Sequence, residues 1–439
     1  MNNPREAALK ILFKIDYEGA YSNLALKDGL GGLSGLDRGL ATRLVYGCVS
    51  MKITLDYIIS LYSTTKLSKL SKSVKQILRM GIYQIMYMDK IPQNAAVNES
   101  VKLAAKYENR SKGFVNAVLR RVCAEKDSIK FPEDKIDNLR TRYSFPKSLC
   151  ERFVEEFGYD FALELIKTMA TEPETVIRAN RLKTDRDSLV QELRDGGADA
   201  VALECLPDGA VISGVEIGAL DEFKEGLFTV QDTAAQLACL VLNTKKGQSV
   251  IDMCAAPGGK TTYMAELMEN QGSIRAFDVH PHKIQLIEDA AERLGIDIIT
   301  ACAADTSVYK SAMDESADCI LVDAPCSGIG IIRRKPEIKW NREDLMQLPK
   351  IQQKLLENAI KYLKPGGELV YSTCTVFSAE NEDVINKVLQ ANPFMEPVDI
   401  TELLPDKFKK PTAAKGYITL FPNQDGTDGF FICKLRKKQ

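Results

Sequence analysis

The fold of this chain is indicated by the stretch Val250-Ile251-Asp252-Met253-Cys254-Ala255-Ala256-Pro257-Gly258-Gly259-Lys260-Thr261-Thr262. It is typical of a buried strand, followed by a turn of small residues and a helix that begins near Thr261. Small residues let a ligand approach the backbone at the carboxyl edge of an open α/β sheet. The stretch contains neither a GxGxxG loop nor a phosphate-cradling GxxxxGK[ST] loop. It therefore predicts a ligand site of another kind.

Strand and helix patterns alternate from about Thr233 onward. Strands are predicted at Ser249–Met253, Ser273–Asp278, Ile296–Ala301, Cys319–Val322 and Glu368–Ser372. Such alternation favours an α/β domain with a mostly parallel sheet and helices on both faces. Two later apolar runs, Gly416–Phe421 and Gly429–Leu435, predict an antiparallel hairpin that closes this sheet.

Acidic residues accompany the next two predicted strands. Asp278 ends the second strand, twenty residues after Gly258, and an acidic residue there suits hydrogen bonds to ribose hydroxyls. Asp305 follows the third strand, where it can meet an adenine edge. A ribose-binding carboxylate without phosphate-binding residues indicates a nucleoside cofactor that lacks a phosphate.

Two further motifs place a cysteine after a strand of the same predicted sheet. They are Leu321-Val322-Asp323-Ala324-Pro325-Cys326-Ser327-Gly328 and Val370-Tyr371-Ser372-Thr373-Cys374-Thr375. A lone buried cysteine is usually a small apolar residue, but two at strand ends beside Asp323 favour chemistry at the ligand-binding edge. The other cysteines outside the quoted loop are expected to be structural: Cys48, Cys123, Cys150, Cys205, Cys239, Cys302, Cys319 and Cys433.

The first third of the chain differs from the rest in charge and periodicity. Residues 1–130 show only helical apolar spacing. Residues 1–135 carry 22 Lys and Arg against 13 Asp and Glu, a balance of +9, whereas the remainder carries 36 against 47, a balance of −11. A basic helical domain favours a polyanionic partner, although a solvated charged surface is the alternative.

The middle of the chain mixes helices with a predicted strand at Thr175–Asn180 and a helix at Thr184–Arg194. Its function is not indicated by its composition. The predicted domains are therefore an all-α domain at 1–135, a small α/β module at 136–232 and an α/β domain at 233–439.

Composition argues against several classes of protein. The eleven cysteines are odd in number and form no CxxC pair, which favours reduced thiols over disulfides or a zinc site. Only two histidines, His280 and His282, are available to act as general bases. We find no apolar run of membrane-spanning length and no signal-peptide core. We expect a monomeric cytoplasmic protein without a metal.

The motifs resemble those of the RNA cytosine-5 methyltransferases. The matching segments are Asp252–Lys260, Asp323–Gly328, Ser372–Thr375, Ile331–Trp340 and Ala379–Glu382. In the first third, Gln93–Glu99 and Gly113–Arg120 resemble a NusB-type RNA-binding domain. The resemblance implies a Rossmann-like, S-adenosylmethionine-dependent methyltransferase domain joined to a NusB-like domain. This pairing is typical of bacterial members that methylate 16S ribosomal RNA.

The resemblance also implies roles for individual residues. S-adenosylmethionine is expected to contact Cys254, Ala255, Ala256, Pro257, Gly258, Gly259, Lys260, Asp278, Asp305 and Asp323. Cys374 is expected to be the nucleophile that adds to cytosine carbon 6, and Cys326 to assist product release. Cysteine suits this reaction as both a good nucleophile and a good leaving group. Asp323 would bind the cytosine N3/N4 edge, and Lys260 would position Asp323.

A basic cluster follows the Cys326 motif and can hold RNA phosphates near the target, although a solvated charged loop is the alternative. Its members are Arg333, Arg334, Lys335, Lys339 and Arg342. Three other functions stay open at this point. They are a nucleotide-dependent oxidoreductase, which the missing GxGxxG loop disfavours; an inactive NusB-like RNA-binding factor, which the retained cysteines and acids disfavour; and the same chemistry on transfer RNA.

Overall fold

The computed structural model describes residues 3–20, 22–33, 35–340 and 347–439. Contacts between residues divide the chain into two compact units. The first contains Met1–Thr171 and Ile332–Asn341, and the second contains Glu172–Ile331 and Arg342–Gln439. The first unit is therefore built from two separate segments of the chain.

The first unit is helical. Its helices are α1 (Pro4–Glu18), α2 (Ser22–Gly29), α3 (Gly35–Ser50), α4 (Lys52–Tyr62), α5 (Lys72–Tyr87), α6 (Gln93–Tyr107), α7 (Lys112–Glu125), α8 (Lys135–Tyr143), α9 (Lys147–Phe157) and α10 (Tyr159–Met169). At the start of α1, the side chain of Asn3 accepts a hydrogen bond from the backbone N–H of Arg5, and Gly19 ends the helix in the left-handed region. The helical prediction for the first 130 residues is confirmed.

Apolar residues of α1, α3, α5 and α7 form one buried core that includes Leu44, Ile77 and Val118. Helices α8, α9 and α10 belong to the same unit, whereas the sequence analysis assigned them to the middle module. The reason is packing, because α8 lies against α4, and both α9 and α10 lie against α8.

The described helices are too short or too polar to be single membrane spans. In the described ranges, no single helix is long and apolar enough to cross a membrane. Helices α3 and α4 pass that test only as a pair, and they are bent by 80° at their junction.

The second unit contains two sheets, of which the smaller is antiparallel. Its strands are β1 (Thr175–Ala179), β2 (Asp199–Ala202), β3 (Gly209–Ser213) and β4 (Phe228–Val230), in the order β2-β3-β1-β4. Helices α11 (Arg186–Asp195) and α12 (Asp221–Lys224) accompany this sheet. The predicted strand at Thr175–Asn180 and the helix that follows it are confirmed.

The larger sheet has eight strands. They are β5 (Ser249–Asp252), β6 (Ser273–Asp278), β7 (Ile299–Ala303), β8 (Ala317–Asp323), β9 (Leu363–Thr373), β10 (Met395–Pro397), β11 (Tyr417–Leu420) and β12 (Phe430–Lys437). Their order is β10-β12-β9-β8-β5-β6-β7, and β11 pairs with β12. The strands from β9 to β7 in this order are parallel, whereas β12 is antiparallel to β9 and β11. The mostly parallel sheet with a closing antiparallel hairpin is confirmed.

Helices connect these strands. They are α13 (Thr233–Leu242), α14 (Gly259–Leu267), α15 (Pro281–Leu294), α16 (Leu348–Tyr362), α17 (Glu382–Ala391) and α18 (Pro422–Asp425). The third strand was predicted from Ile296, but β7 begins at Ile299. The backbone N–H of Ile296 instead donates to the carbonyl of Ala291 (2.9 Å) and closes α15 after Gly295, so it takes no part in the sheet.

The segment 332–340 packs within the helical unit. Trp340 Nε1 donates to the carbonyl of Val49 (3.0 Å). Lys339 Nζ donates to the carbonyls of Ser50 (3.1 Å) and Ser144 (3.3 Å). This part of the basic cluster is thus a docking element of the helical unit.

The prediction that Lys339 binds RNA phosphates is wrong. Its side chain is only 3% exposed, and its ammonium group lies 4.1 Å from the centre of the Phe145 ring, so a phosphate has no access to it. Lys335 is exposed, and Arg333 and Arg334 are half-buried. Arg342 lies outside the described residues.

Burial lowers the pKa of Lys339 to about 7. Between pH 7 and the pKa near 10.4 of an unfolded lysine, the unfolded chain binds a proton that the folded unit does not. This residue should therefore make the free energy of unfolding rise with pH across that window, by at most about 1.4 kcal/mol per pH unit. Lys339→Met should flatten the rise.

Trp340 is the only tryptophan in the chain, so its fluorescence during urea unfolding at several pH values reports on this unit. Lys335→Met, at the exposed neighbouring lysine, is the matched control and should keep the wild-type pH dependence. An equally steep rise in Lys339→Met would contradict the assignment.

Candidate active site

The carboxyl ends of β5, β6 and β8 meet near the start of α16 around a cavity of about 430 Å³. This volume lies in the range of small-molecule sites. Five of the predicted site residues line the cavity: Cys254, Ala256, Asp278, Asp305 and Asp323. Val279 and Ile351 add exposed apolar surface to its wall. The other predicted cofactor residues are not part of this lining: Ala255, Pro257 and Gly258 belong to the same loop, and Gly259 and Lys260 begin α14.

Close packing shapes the loop between β5 and α14. Gly258 has a φ of 100°, and a Cβ atom on it would lie 3.2 Å from the Cα of Ile287. The backbone conformation therefore favours glycine there, and the space for a Cβ atom is tight. The backbone N–H of Ala255 donates to the carbonyl of Phe277 (2.7 Å), which fastens the loop to the end of β6.

Asp252, at the end of β5, is a site residue to which the sequence analysis gave no role. Its buried carboxyl accepts a hydrogen bond from Thr261 Oγ1 (2.7 Å) and a longer one from the backbone N–H of Cys254 (3.4 Å). Burial raises the pKa of Asp252 to about 7. The sequence did offer one indication of a role for Asp252, namely its position at the end of the predicted strand in residues 250–262.

Asp278 and Asp305 occupy different environments. Asp278 is 8% exposed, and its Oδ1 accepts from the backbone N–H of His280 (2.9 Å), with Lys283 Nζ at 3.9 Å. Asp305 is exposed, and its Oδ1 accepts from the backbone N–H of Ser307 (2.9 Å). Asp278 is thus the more firmly fixed carboxylate of the two.

Asp323 is held from two sides. Lys260 Nζ forms an ion pair with Asp323 Oδ2 (2.6 Å), and Ser372 Oγ donates to Oδ1 (2.8 Å). Burial alone would lower the pKa of Lys260, but attraction to Asp323 outweighs it, and the pKa is raised. Lys260 is therefore charged at neutral pH and fixes the carboxylate at the end of β8.

Cys326 and Cys374 lie side by side, with their sulfur atoms 2.9 Å apart. The backbone N–H of Cys374 donates to the sulfur of Cys326 (3.2 Å). The hydrogen bond to Cys374 and burial raise the pKa of Cys326 well above its ordinary value. The two predicted cysteines are thus brought together, and the Cys326 thiol stays protonated at neutral pH.

A buried polar network fixes the two cysteine loops, and the sequence analysis gave its members no role. Glu380 Oε2 accepts from the backbone N–H of Ser327 (2.8 Å) and from Gln352 Nε2 (3.2 Å). Ser327 Oγ and Thr375 Oγ1 are 3.0 Å apart, and Asn381 Nδ2 donates to the carbonyl of Thr375 (3.1 Å). The only signal was that the Ala379–Glu382 segment resembles the family motif.

Comparison with known families identifies three parts of the chain. Residues 239–436 match the family described as 16S rRNA methyltransferase RsmB/F. Residues 2–124 match the NusB family, and residues 145–215 match the ferredoxin-like domain of RsmF/B-like methyltransferases. The smaller sheet of the second unit lies mostly within this last match.

Known relatives resemble the chain over its whole length. A probable ribosomal RNA small subunit methyltransferase B from Bacillus subtilis strain 168 is 38% identical, covering 99% of this chain and 98% of the relative. One from Synechocystis sp. is 35% identical, covering 100% of both. Among crystal structures, PH0851 has a TM-score of 0.82 at 27% identity, covering 100% of this chain and 99% of its own. A methyltransferase homologue from Pyrococcus horikoshii has a TM-score of 0.60 at 30% identity, covering 70% and 99%.

These relatives lend no support to the oxidoreductase alternative. Full-length matches at more than 30% identity, together with the NusB and methyltransferase matches, leave one assignment. The chain belongs to the 16S ribosomal RNA methyltransferase RsmB/F family.

Proposed function

We propose that this protein transfers a methyl group from S-adenosylmethionine to carbon 5 of a cytosine in 16S ribosomal RNA. The reaction would proceed through a covalent bond between Cys374 and carbon 6 of the base. The observation that carries the proposal is the pair of adjacent thiols, with sulfur atoms 2.9 Å apart, at the edge where Lys260 binds Asp323. Membership of the family supports ribosomal RNA as the substrate.

The cavity at the strand ends suits a nucleoside cofactor. Asp278 is fixed by the His280 N–H and has carboxylate oxygens that can accept from ribose hydroxyls. The exposed apolar side chains of Val279 and Ile351 offer surfaces on which an adenine can pack, and Asp305 can accept from its amino group. S-adenosylmethionine, when bound there, supplies an electrophilic methyl group.

The proposed role of Cys374 is to activate carbon 5 of cytosine for methylation. Carbon 5 of cytosine is a weak nucleophile until the Cys374 thiolate forms a bond to carbon 6, which converts the ring into an enamine. After carbon 5 has gained its methyl group, its proton passes to a water molecule, and the electron pair of that C–H bond forms the carbon 5–carbon 6 double bond. The Cys374–carbon 6 bond then breaks, its electron pair returns to sulfur, and the aromatic ring is restored.

Asp323 is suited to hold the base during this addition. Its carboxylate can accept from the cytosine N4 amino group and stabilise positive charge at N3. The contacts with Lys260 and Ser372 restrict its orientation before the base enters. In a folded RNA, the cytosine must leave its stack to reach this position.

The two cysteines are assigned different roles. The raised pKa of Cys326 keeps it as a thiol at neutral pH, so it can donate a proton to the Cys374 sulfur, 2.9 Å away, as that sulfur leaves carbon 6. The family resemblance assigns Cys374 as the nucleophile.

Asp278→Ala is expected to weaken S-adenosylmethionine binding by roughly 1–3 kcal/mol, because ribose hydroxyls would lose a buried acceptor. Isothermal titration calorimetry measures this directly. Asp289→Ala, at an exposed aspartate on α15, is the control and should bind like the wild type. Equal affinity of Asp278→Ala and the wild type would place the cofactor elsewhere.

The cysteine variants should behave differently on a denaturing gel. Cys374→Ala is expected to lose both methylation and the covalent species, because no bond to carbon 6 can form. Cys326→Ala is expected to accumulate a slow-migrating protein–RNA adduct that disappears after nuclease treatment. An adduct in Cys374→Ala and none in Cys326→Ala would reverse the two roles.

The helical unit is proposed to bind the RNA. Its family match to NusB coincides with the basic balance of +9 in residues 1–135. Arg110, Lys112, Arg120 and Arg121 are exposed in and just before α7 and can contact phosphates. Phosphate contacts of this kind fix the position of a nucleic acid without reading its sequence.

Bisulfite sequencing of total RNA should identify the substrate. Cells that lack the gene are expected to lose one protected cytosine in 16S ribosomal RNA, because bisulfite does not convert 5-methylcytosine. The wild-type gene should restore protection, and the Cys374→Ala gene should not. Loss of a protected cytosine in transfer RNA instead would keep the chemistry but overturn the substrate.

A further inference from the structure

Arg178 on β1 is a fully buried arginine that reaches out of the small sheet. Its Nη1 donates to the carbonyl of Gly259 (2.9 Å) and to the side chain of Gln231. Its Nη2 donates to Glu266 Oε1 (2.6 Å) and to Thr262 Oγ1 (3.2 Å). The guanidinium group thus spans nearly two turns of α14 from the smaller sheet of the second unit.

Stability alone is a poor explanation for this network. Arg178 and Glu266 both have 0% side-chain exposure, and removing two charges from water carries a desolvation cost that such a pair often fails to recover. Among the described residues, the buried Arg178 Nε, Gln231 Nε2 and Glu266 Oε2 have no hydrogen-bond partner. An apolar cluster of similar volume would cost less. Buried ion pairs of this kind can instead fix a single arrangement of the elements that they join.

Arg178 contacts the first turn of α14, the helix that follows the loop beside the cavity. Gly259 is the first residue of α14, and its carbonyl also accepts from Thr262 Oγ1 (3.1 Å). The next residue, Lys260, carries the ammonium group that binds Asp323. A shift of this first turn would therefore move both the loop beside the cavity and the partner of Asp323.

We propose that Arg178 is a positioning residue for methyl transfer, and that the small sheet thereby completes the cofactor site. This inference rests on the proposed function for its link to S-adenosylmethionine. Arg178 acts through Gly259 and Lys260 and does not itself line the cavity. Its role gives the small sheet a function in the compact unit that it shares with the larger sheet.

The test must separate positioning from stability. Arg178→Met leaves Glu266 buried without its cation and is expected to lower the thermal midpoint. The double variant Arg178→Met/Glu266→Leu removes both charges and is expected to recover most of that loss. Both variants should still bind S-adenosylmethionine at least tenfold more weakly than the wild type in calorimetry well below their midpoints. Their affinity for RNA should stay within about twofold, since Arg178 is buried in the second unit.

Two variants serve as controls. Arg293→Met removes another arginine that joins the same two parts of the unit, through the carbonyls of Phe223 (2.7 Å) and Phe228 (2.9 Å), but at the far end of α15 from the cofactor loop. It should leave the affinity for S-adenosylmethionine unchanged. Arg178→Lys keeps a cation beside Glu266 without the planar fork, so it should fold and show an intermediate affinity even if the methionine variants do not fold.

Hydrogen exchange supplies a readout that does not depend on the cofactor. The backbone amides in the first two turns of α14 should exchange faster in the Arg178 variants than in Arg293→Met. If the wild type binds no S-adenosylmethionine, the proposed function fails, while the exchange rates still decide whether Arg178 fixes this helix. Wild-type cofactor affinity in the folded double variant, or unchanged exchange in α14, would overturn the positioning role.

Discussion

The parallel pairing of β8 between β5 and β9 is the constraint on which the site depends. In this register Asp252 pairs with Leu321, and Asp323 pairs with Ser372. The three strands therefore end at one edge, where the loop to Lys260, the carboxylate of Asp323 and the two cysteines meet. A slip of one residue would turn Asp323 to the other face of the sheet and away from Lys260. The hydrogen bonds of the sheet thus set distances that no single loop could fix.

The charges at this edge have unequal roles. Lys260 is a buried cation that stays charged because Asp323 lies 2.6 Å from it. Cys326 is held protonated by its hydrogen bond to Cys374, with the two sulfur atoms 2.9 Å apart, and by burial. The ionisation of Lys260 and of Cys326 is thus fixed by the groups that contact them.

The sequence was most informative where chemistry coincides with strand ends. The placement of Asp278, Asp323, Cys326 and Cys374 at one sheet edge could be predicted because each ends or follows a strong strand pattern, and parallel strands bring such positions together. Arg178 and Glu380 could not be predicted, since the partners of their side chains lie 28 or more residues away along the chain. A local pattern carries no information about such partners.

Lys339 shows the opposite error, because a basic run was interpreted as exposed. Lys339 follows two arginines in the sequence, yet its ammonium group is buried inside the helical unit. There it donates hydrogen bonds to the carbonyls of Ser50 and Ser144. Nothing within the local sequence distinguishes a lysine that docks in a core from one that faces solvent. The start of β7 was misplaced for a related reason, since the helix end at Gly295 competed with the sheet for Ile296.

The discontinuous helical unit has a consequence for how the chain is made. Its second segment, which begins at Ile332, leaves the ribosome well after Thr171. At roughly 5–20 residues per second, a separation of about 160 residues corresponds to about 8–30 s of synthesis. During that interval the N-terminal helices have been synthesised, but Trp340 and Lys339 have not. The hydrogen bonds from these two side chains to the carbonyls of Val49 and Ser50 therefore cannot yet form. Co-translational folding of the helical unit is therefore completed only after about half of residues 233–439 has been translated.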